Sequence, residues 1–308
     1  MRRARHKSEE DAFYHIYTRV AGSPDFYPLQ ERKAARKLIA VIRFFTEVYF
    51  CRLAAYEVLG NHYHFIVFME AFRTLSRPEL VAKARQLFGK RFAIQTAGWS
   101  DSEWEGFNRR LFDVSCLMQQ INGRYGVWFN RNFNRRGHFW AERFKNAQLL
   151  DLEAVQECLL YIELNTVRAG LVRRPEQWKY GSARLRWKKK DRHLLPLEQI
   201  FTGVSPSEAY TQYRYRLYHR GSVPTKEGQG RISQEVLEKE ARSGFQGSGQ
   251  YRDRLRLFTD GLAVGSREKV SQLLEQFRQR RDYQRRRNPI SHLEGLIFTV
   301  REQRSTGG

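Results

Sequence analysis

Residues 61–69 read NHYHFIVFM. In an extended strand, side chains two apart share a face, so His62 and His64 project together while Tyr63 points the other way. Two imidazoles at a fixed separation are half of a metal site, and imidazole serves zinc, manganese, nickel and copper alike. The same pair also reads as two surface histidines. A metal reading therefore needs a third ligand from elsewhere in the chain.

Residues 151–171, DLEAVQECLLYIELNTVRAGL, supply a candidate. Val155, Leu159 and Ile162 form an apolar helical stripe for the core. Tyr161 and Asn165 lie four apart on a neighbouring helical face that Ala154 and Cys158 continue. As plain structure, Tyr161 is an amphipathic core residue and Asn165 a cap-like residue near the helix end. As chemistry, a phenol with a pKa of about 10 is a poor nucleophile until something activates it. A divalent cation held by His62, His64 and the amide oxygen of Asn165 would bind a phosphate oxygen and drain charge from phosphorus. Tyr161 could then attack in line. The resulting phosphotyrosine ester stores the bond energy of the diester, so a second strand end can reverse the step. That is nicking and rejoining, not hydrolysis. A zinc hydrolase fits the residues less well, because neither histidine has an obvious carboxylate ligand nearby and no His-Glu-x-x-His run occurs.

Tyr125, in INGRYGVWFNRNF, is the rival nucleophile, with basic and aromatic neighbours. Its i+4 neighbour is Phe129, which ligates nothing, and Asn130 lies off that face by about 140°. Tyr161 is preferred. Residues 124–136 read instead as DNA-contacting or core-packing, with Arg124, Arg131, Arg135 and Arg136 as candidate phosphate partners. Arg143 and Arg168 join them, as do Arg285, Arg286 and Arg287 in the tail segment RQRRDYQRRRNP, which reads either as a solvated helix face or as a phosphate-contacting arm.

The whole chain supports a polyanion partner. It has 55 Lys plus Arg against 33 Asp plus Glu in 308 residues, a formal net charge of +22. Six Trp, 15 Tyr and 21 Phe offer faces on which unpaired bases stack. Cys51, Cys116 and Cys158 are widely spaced and form neither a disulfide framework nor a Cys-x-x-Cys zinc pattern, which suits a reducing cytoplasm. No apolar signal core follows the basic N-terminus, and no stretch approaches the roughly 20 apolar residues of a membrane span. The expectation is a cytoplasmic protein without a membrane partner.

The elements that must position these residues follow from periodicity. Strands are expected at 12–20, at 52–69 as a hairpin about Gly60 and Asn61, and at 137–150. Helices are expected within 25–49 after Pro28, at 76–92 with Ser76 as N-cap, at 111–133 with a bend at Gly123, and at 151–171. Residues 97–108 read as a loop. This order predicts an α+β chain, a ferredoxin-like βαββαβ sandwich with an antiparallel sheet, helices on one face and the other face free for a partner. Residues 1–10 form a basic tail, 11–187 the site-bearing domain, and 188–308 a mainly helical, basic extension with short helices at 206–219, 231–243 and 266–284.

The run NHYHFIVF, then RRGHFWAERFKNAQLLD, then YIELNTVRAGLV followed by PEQWKYGSAR, resembles the single-tyrosine HUH transposases, and among them the REP-associated tyrosine transposases. The resemblance covers about residues 11–187, and FTDGLAVGSREKV at 258–270 resembles the end of longer members. It implies a ferredoxin-like fold, His62 and His64 as metal ligands, Tyr161 as nucleophile, and Asn165 at the position of the third ligand. Mg2+ or Mn2+ is the implied ion, and single-stranded DNA, often bearing a hairpin formed by a palindromic repeat, the implied substrate. Both a homodimer and a monomer are compatible with the resemblance. Thr166 stands where the family often has Pro, and Glu142 where a Gly commonly precedes the residue corresponding to Arg143. The alternative drawn from the same residues is a domesticated, non-catalytic binder of hairpin DNA.

Overall fold

A computed structural model of the chain describes residues 8–224, 227–242, 261–279, 289–292 and 297–301. Among these described residues the sheet has seven strands: β1 (Ala12–Arg19), β2 (Cys51–Val58), β3 (His62–Met69), β4 (Lys145–Leu149), β5 (Gly261–Gly265), β6 (Ile290–His292) and β7 (Ile297–Arg301), in the order β2-β3-β1-β4-β5-β7-β6. Each neighbouring pair among the first four is antiparallel. Helix α1 (Arg32–Val48) joins β1 to β2, and α5 (Val114–Asn132) precedes β4. This is the expected βαββαβ arrangement, with both helices on one face of the sheet. Between β3 and α5 lie α2 (Arg77–Phe88), the short α3 (Phe92–Thr96) and α4 (Asp101–Leu111).

Alternation along the strands sorts their side chains to two faces. Tyr14 and Ile16 of β1, with Tyr63, Phe65 and Val67 of β3, pack against Leu38, Ile42 and Phe45 of α1 and Leu117, Ile121 and Tyr125 of α5. The opposite face was expected to be free and is not. Ala55, Ile66 and Ala147 there pack against Ala154, Val155, Cys158, Leu159 and Ile162 of α6 (Leu152–Glu163). The signal lies in β3 itself, where Phe65, Ile66 and Val67 are consecutive and apolar, as in strands covered on both faces.

Three further expectations are corrected. Residues 101–111 form helix α4, not a loop: Ser100 and Glu103 make a reciprocal capping box, and Trp104, Phe107 and Leu111 are buried at helical spacing. Helix α5 runs unbroken through Gly123. Of residues 137–150, only β4 is strand; the preceding segment bridges through Trp140 to Val20, just past the end of β1.

Beyond α6 come α7 (Asn165–Arg168), closed by Gly170 at φ +70°, then α8 (Ser182–Trp187), α9 (Pro206–Ser222), α10 (Gln234–Arg242) and α11 (Arg267–Gln279). The described C-terminal residues are largely helical, as expected. They also contribute strands that periodicity did not reveal, with β5 extending the sheet parallel to β4. Helix α9 anchors α6: the Tyr213 hydroxyl donates to Glu163 Oε2 at 2.6 Å and Arg220 Nη2 to Glu157 Oε2 at 2.5 Å. The second core thus holds the site-bearing helix from both sides. Among the described residues, no helix is long and apolar enough to cross a membrane.

Candidate active site

Strand register sets the floor of the site. His64 stands between Tyr17 of β1 and Glu57 of β2, His62 lies opposite Arg19, and His15 opposite Ile66. Since Ile66 belongs to the core beneath α6, His64 and His62, two and four residues earlier on β3, share that face. Tyr63 points away from it, and its hydroxyl donates to Asn122 Oδ1 at 2.7 Å on the α5 side. The shared face of the two histidines is as expected from their spacing.

Each imidazole is oriented through one ring nitrogen. His62 Nδ1 donates to Asn61 Oδ1 at 2.8 Å. His64 Nδ1 meets His15 Nε2 at 3.0 Å, the two rings stacked with centroids 5.2 Å apart. With His64 as donor in that pair, both Nε2 atoms keep their lone pairs. The His62 and His64 rings are 5.2 Å apart and nearly perpendicular. Burial pushes the His62 pKa down to about 4, assisted by the charge of Arg19. Burial also holds His64 well below the usual histidine range, with His15 and His62 adding to the effect. Both rings are therefore neutral at neutral pH, the state in which imidazole binds a cation. No group of three or more His, Cys, Asp or Glu able to hold a metal occurs among the described residues. A cation here would complete its shell with an amide, water or a ligand oxygen.

Tyr161 descends on this floor from α6. Its ring centroid lies 5.7 Å from that of His64 and 6.1 Å from that of His15, edge-on to both. The helix does not continue regularly to Asn165. It is interrupted at Leu164, and Asn165 opens α7. The Asn165 side chain nevertheless lies beside the phenol and favours its ionised form, as does the charge of Arg168, although burial outweighs both and raises the phenol pKa above its usual value. The buried Asn165 Nδ2 completes no hydrogen bond of normal geometry. Glu57, opposite His64, is 1% exposed. Its Oε1 accepts from the Thr166 hydroxyl at 2.8 Å, while its Oε2 has no partner. Desolvation raises this carboxyl well above the usual carboxylate range, against the hydrogen bond from Thr166. Thr166, at the position where proline was the family expectation, thus ties α7 to β2.

The structure brings His62, His64, Tyr161, Asn165 and Arg168 to one face of the sheet. The remaining candidates lie elsewhere. Tyr125 is fully buried, and its hydroxyl donates to the Ala34 carbonyl at 3.1 Å, as befits a core residue. Arg124 and Arg131 are exposed on α5, across the sheet from Tyr161. Arg136 and Arg143 are exposed in the segment between α5 and β4. Arg135 is half-buried there and is already committed, donating to the carbonyls of His138 at 2.9 Å and Ala21 at 3.3 Å. Arg285, Arg286 and Arg287 lie outside the described residues. Sequence reasoning missed His15, Tyr17 and Glu57, and noted Thr166 only as a departure from the family's proline. For His15 the signal was present, since a histidine at mid-strand in AFYHIYTRV faces the same way as Phe13 and Tyr17. It also missed a basic and aromatic cleft of about 470 Å3 on the outer surface, lined by Arg32, Lys33, Arg36, Lys37 and Trp128 with Glu31.

No family model and no curated protein matches the chain. One solved structure similar to it is described as "Structure of the REP associates tyrosine transposase bound to a REP hairpin". The likeness has a TM-score of 0.42 at 13% sequence identity, and covers 67% of this chain and 93% of that chain. A likeness of this extent assigns no activity, which must be argued from the residues of the chain itself.

Proposed function

We propose that the chain nicks single-stranded DNA and transfers the cut end through a covalent bond between Tyr161 and a 5′ phosphate, acting on DNA that carries a hairpin or palindromic repeat. The observation that carries this reading is the approach of the Tyr161 ring to His64, 5.7 Å between centroids, from a helix far along the chain. A phenol, two neutral imidazoles, a primary amide and a guanidinium at one spot have little use as core. They suit an attack on phosphorus.

The donor set fits a divalent cation such as Mg2+ or Mn2+, because both imidazoles are neutral and, with His64 as donor to His15, each keeps an Nε2 lone pair for a cation. His62, His64 and the Asn165 amide oxygen would hold that ion, which withdraws charge from phosphorus when bound. The Tyr161 oxygen then bonds to phosphorus as the bond to the 3′ oxygen breaks, and the phenolic proton is matched by the one on the released 3′-hydroxyl. A homodimer and a monomer both accommodate this chemistry, provided the phenol and the histidines that serve one phosphate come together.

A second reading has one observation in its favour. Burial raises the Tyr161 pKa, so the phenol resists ionisation until charge arrives from outside. A protein that only bound hairpin DNA would tolerate such a phenol indefinitely. The two readings part in one experiment: labelled single-stranded hairpin DNA with Mn2+, resolved on a denaturing gel. The enzyme reading expects a protein–DNA band that Tyr161→Phe abolishes while DNA affinity stays within about threefold, since only a hydroxyl is lost and phosphate contacts dominate affinity. A band that persists in the Phe variant assigns the nucleophile to another residue. The absence of a band in the wild type, with binding intact, favours the second reading.

A further inference from the structure

Arg168 is the residue that the preceding chemistry leaves unexplained. It closes α7, three residues beyond Asn165, and its charge bears on the Tyr161 phenol. Its Nε and Nη1 are buried and complete no hydrogen bond. Of the two carboxyl groups that bear on it, Glu157 accepts from Arg220, while Glu57 is bonded through Oε1 to Thr166 and its Oε2 forms no bond to Arg168. Desolvation pulls its pKa down to about 10, so the guanidinium remains charged at neutral pH. Leaving buried N–H donors of a cation unmade is costly. A guanidinium fork matches two oxygens of one phosphate, and no other side-chain cation offers that planar geometry.

We propose that Arg168 binds the non-bridging oxygens of the phosphate that Tyr161 attacks. This rests on the reading of Tyr161 as nucleophile and goes beyond it by assigning a second, protein-borne positive charge to the reacting group. Phosphate enters with the acceptors that Nε and Nη1 lack. As the phenol oxygen bonds to phosphorus and the bond to the 3′ oxygen breaks, charge accumulates on those same oxygens, and a fixed donor there acts more strongly on the transition state than on the bound strand. The same charge favours the phenolate, so one residue serves both partners of the bond being made.

The test compares Arg168→Met and Arg168→Lys with the wild type on hairpin DNA whose scissile linkage is either a phosphodiester or an uncharged methylphosphonate. On the phosphodiester, R168M should form the covalent band about 10²–10³-fold more slowly. DNA affinity should fall by no more than about tenfold, R168K should recover part of the rate, and added guanidinium should rescue R168M. On the methylphosphonate, wild type and R168M should react at similar rates. Equal losses on both linkages, with no rescue, would overturn the proposal and leave Arg168 a structural residue. If the wild type forms no covalent band, the nucleophile reading fails, and the anion site is tested alone. Inorganic phosphate is then titrated against the arginine Nε resonances of wild type, Y161F and R168M. A phosphate-dependent shift shared by the first two and absent in R168M upholds the anion site. No such shift overturns it.

Discussion

Replacing Thr166 with valine removes one hydroxyl from the floor of the site while keeping its shape. Thr166 is fully buried, and its Oγ1 donates at 2.8 Å to Oε1 of a carboxyl whose second oxygen already has no partner. In the variant Oε1 loses that donor, and the Thr166 backbone N–H is what still bears on the carboxyl. Burial raises the folded-state pKa of this carboxyl, and the Thr166 hydroxyl works against that rise. Between the unfolded carboxylate value, about 4.3, and the raised folded value, the native state holds a proton that the unfolded state has released. Stability therefore falls as pH increases through that window. Losing the hydroxyl lifts the folded value further and extends the window upward.

The cost of T166V should accordingly depend on pH. Near pH 5 the hydroxyl bonds a neutral carboxyl, and its loss should cost about 0.5–1.5 kcal/mol. Near pH 8 the bond is to a carboxyl under pressure to ionise, and the cost should rise to about 1.5–3 kcal/mol. Urea unfolding followed by tryptophan fluorescence at the two pH values measures both. In a Glu57→Gln background the pH dependence of the T166V cost should vanish. An equal cost at pH 5 and pH 8 would refute the reasoning, because it would mean that Glu57 keeps its proton throughout and the hydroxyl never meets developing charge.

Two other expectations concern the supports of the site. His15→Ala removes the partner of His64 Nδ1, and Mn2+ affinity measured by calorimetry should fall about 10–100-fold; unchanged affinity would mean that His64 is oriented by something else. Arg220→Met strands the buried carboxylate of Glu157 on α6 and should cost about 3–5 kcal/mol in guanidinium unfolding. Pairing it with Glu157→Leu should recover most of that loss, and a double variant no better than the single one would show that the pair is not the anchor of α9.

Much of the framework was legible because its signals are local. The hairpin about Gly60 and Asn61, the Ser76 cap and the apolar stripe of α6 are set by neighbouring residues, and each appears where periodicity put it. Helix α4 was equally local, and Ser100 with Glu103 announced it. There the polar and glycine content of AGWSDSEWEGFN, which suggests a loop, concealed a capping box and a stripe of Trp104, Phe107 and Leu111. Strand β5 was not local at all. It pairs with β4 after more than a hundred intervening residues, and nothing in its five residues names that partner.

The candidate site divides the same way. His62 and His64 share a face because they are two apart on one strand, a relation that any extended chain enforces. Their neutrality is not such a relation. It comes from α6 lying over the face that was expected to be open, and that cover depends on α9, whose Arg220 and Tyr213 engage the carboxylates of α6. The covering helix also explains why Arg168 differs from the arginines of α5. Arg124 and Arg131 face solvent, where a charge is hydrated and screened, whereas Arg168 is half-buried beside Tyr161, with its Nε and Nη1 buried and unbonded. Sequence counts these arginines alike. Burial makes one of them strongly dependent on an anion and leaves the others interchangeable contributors to a basic surface.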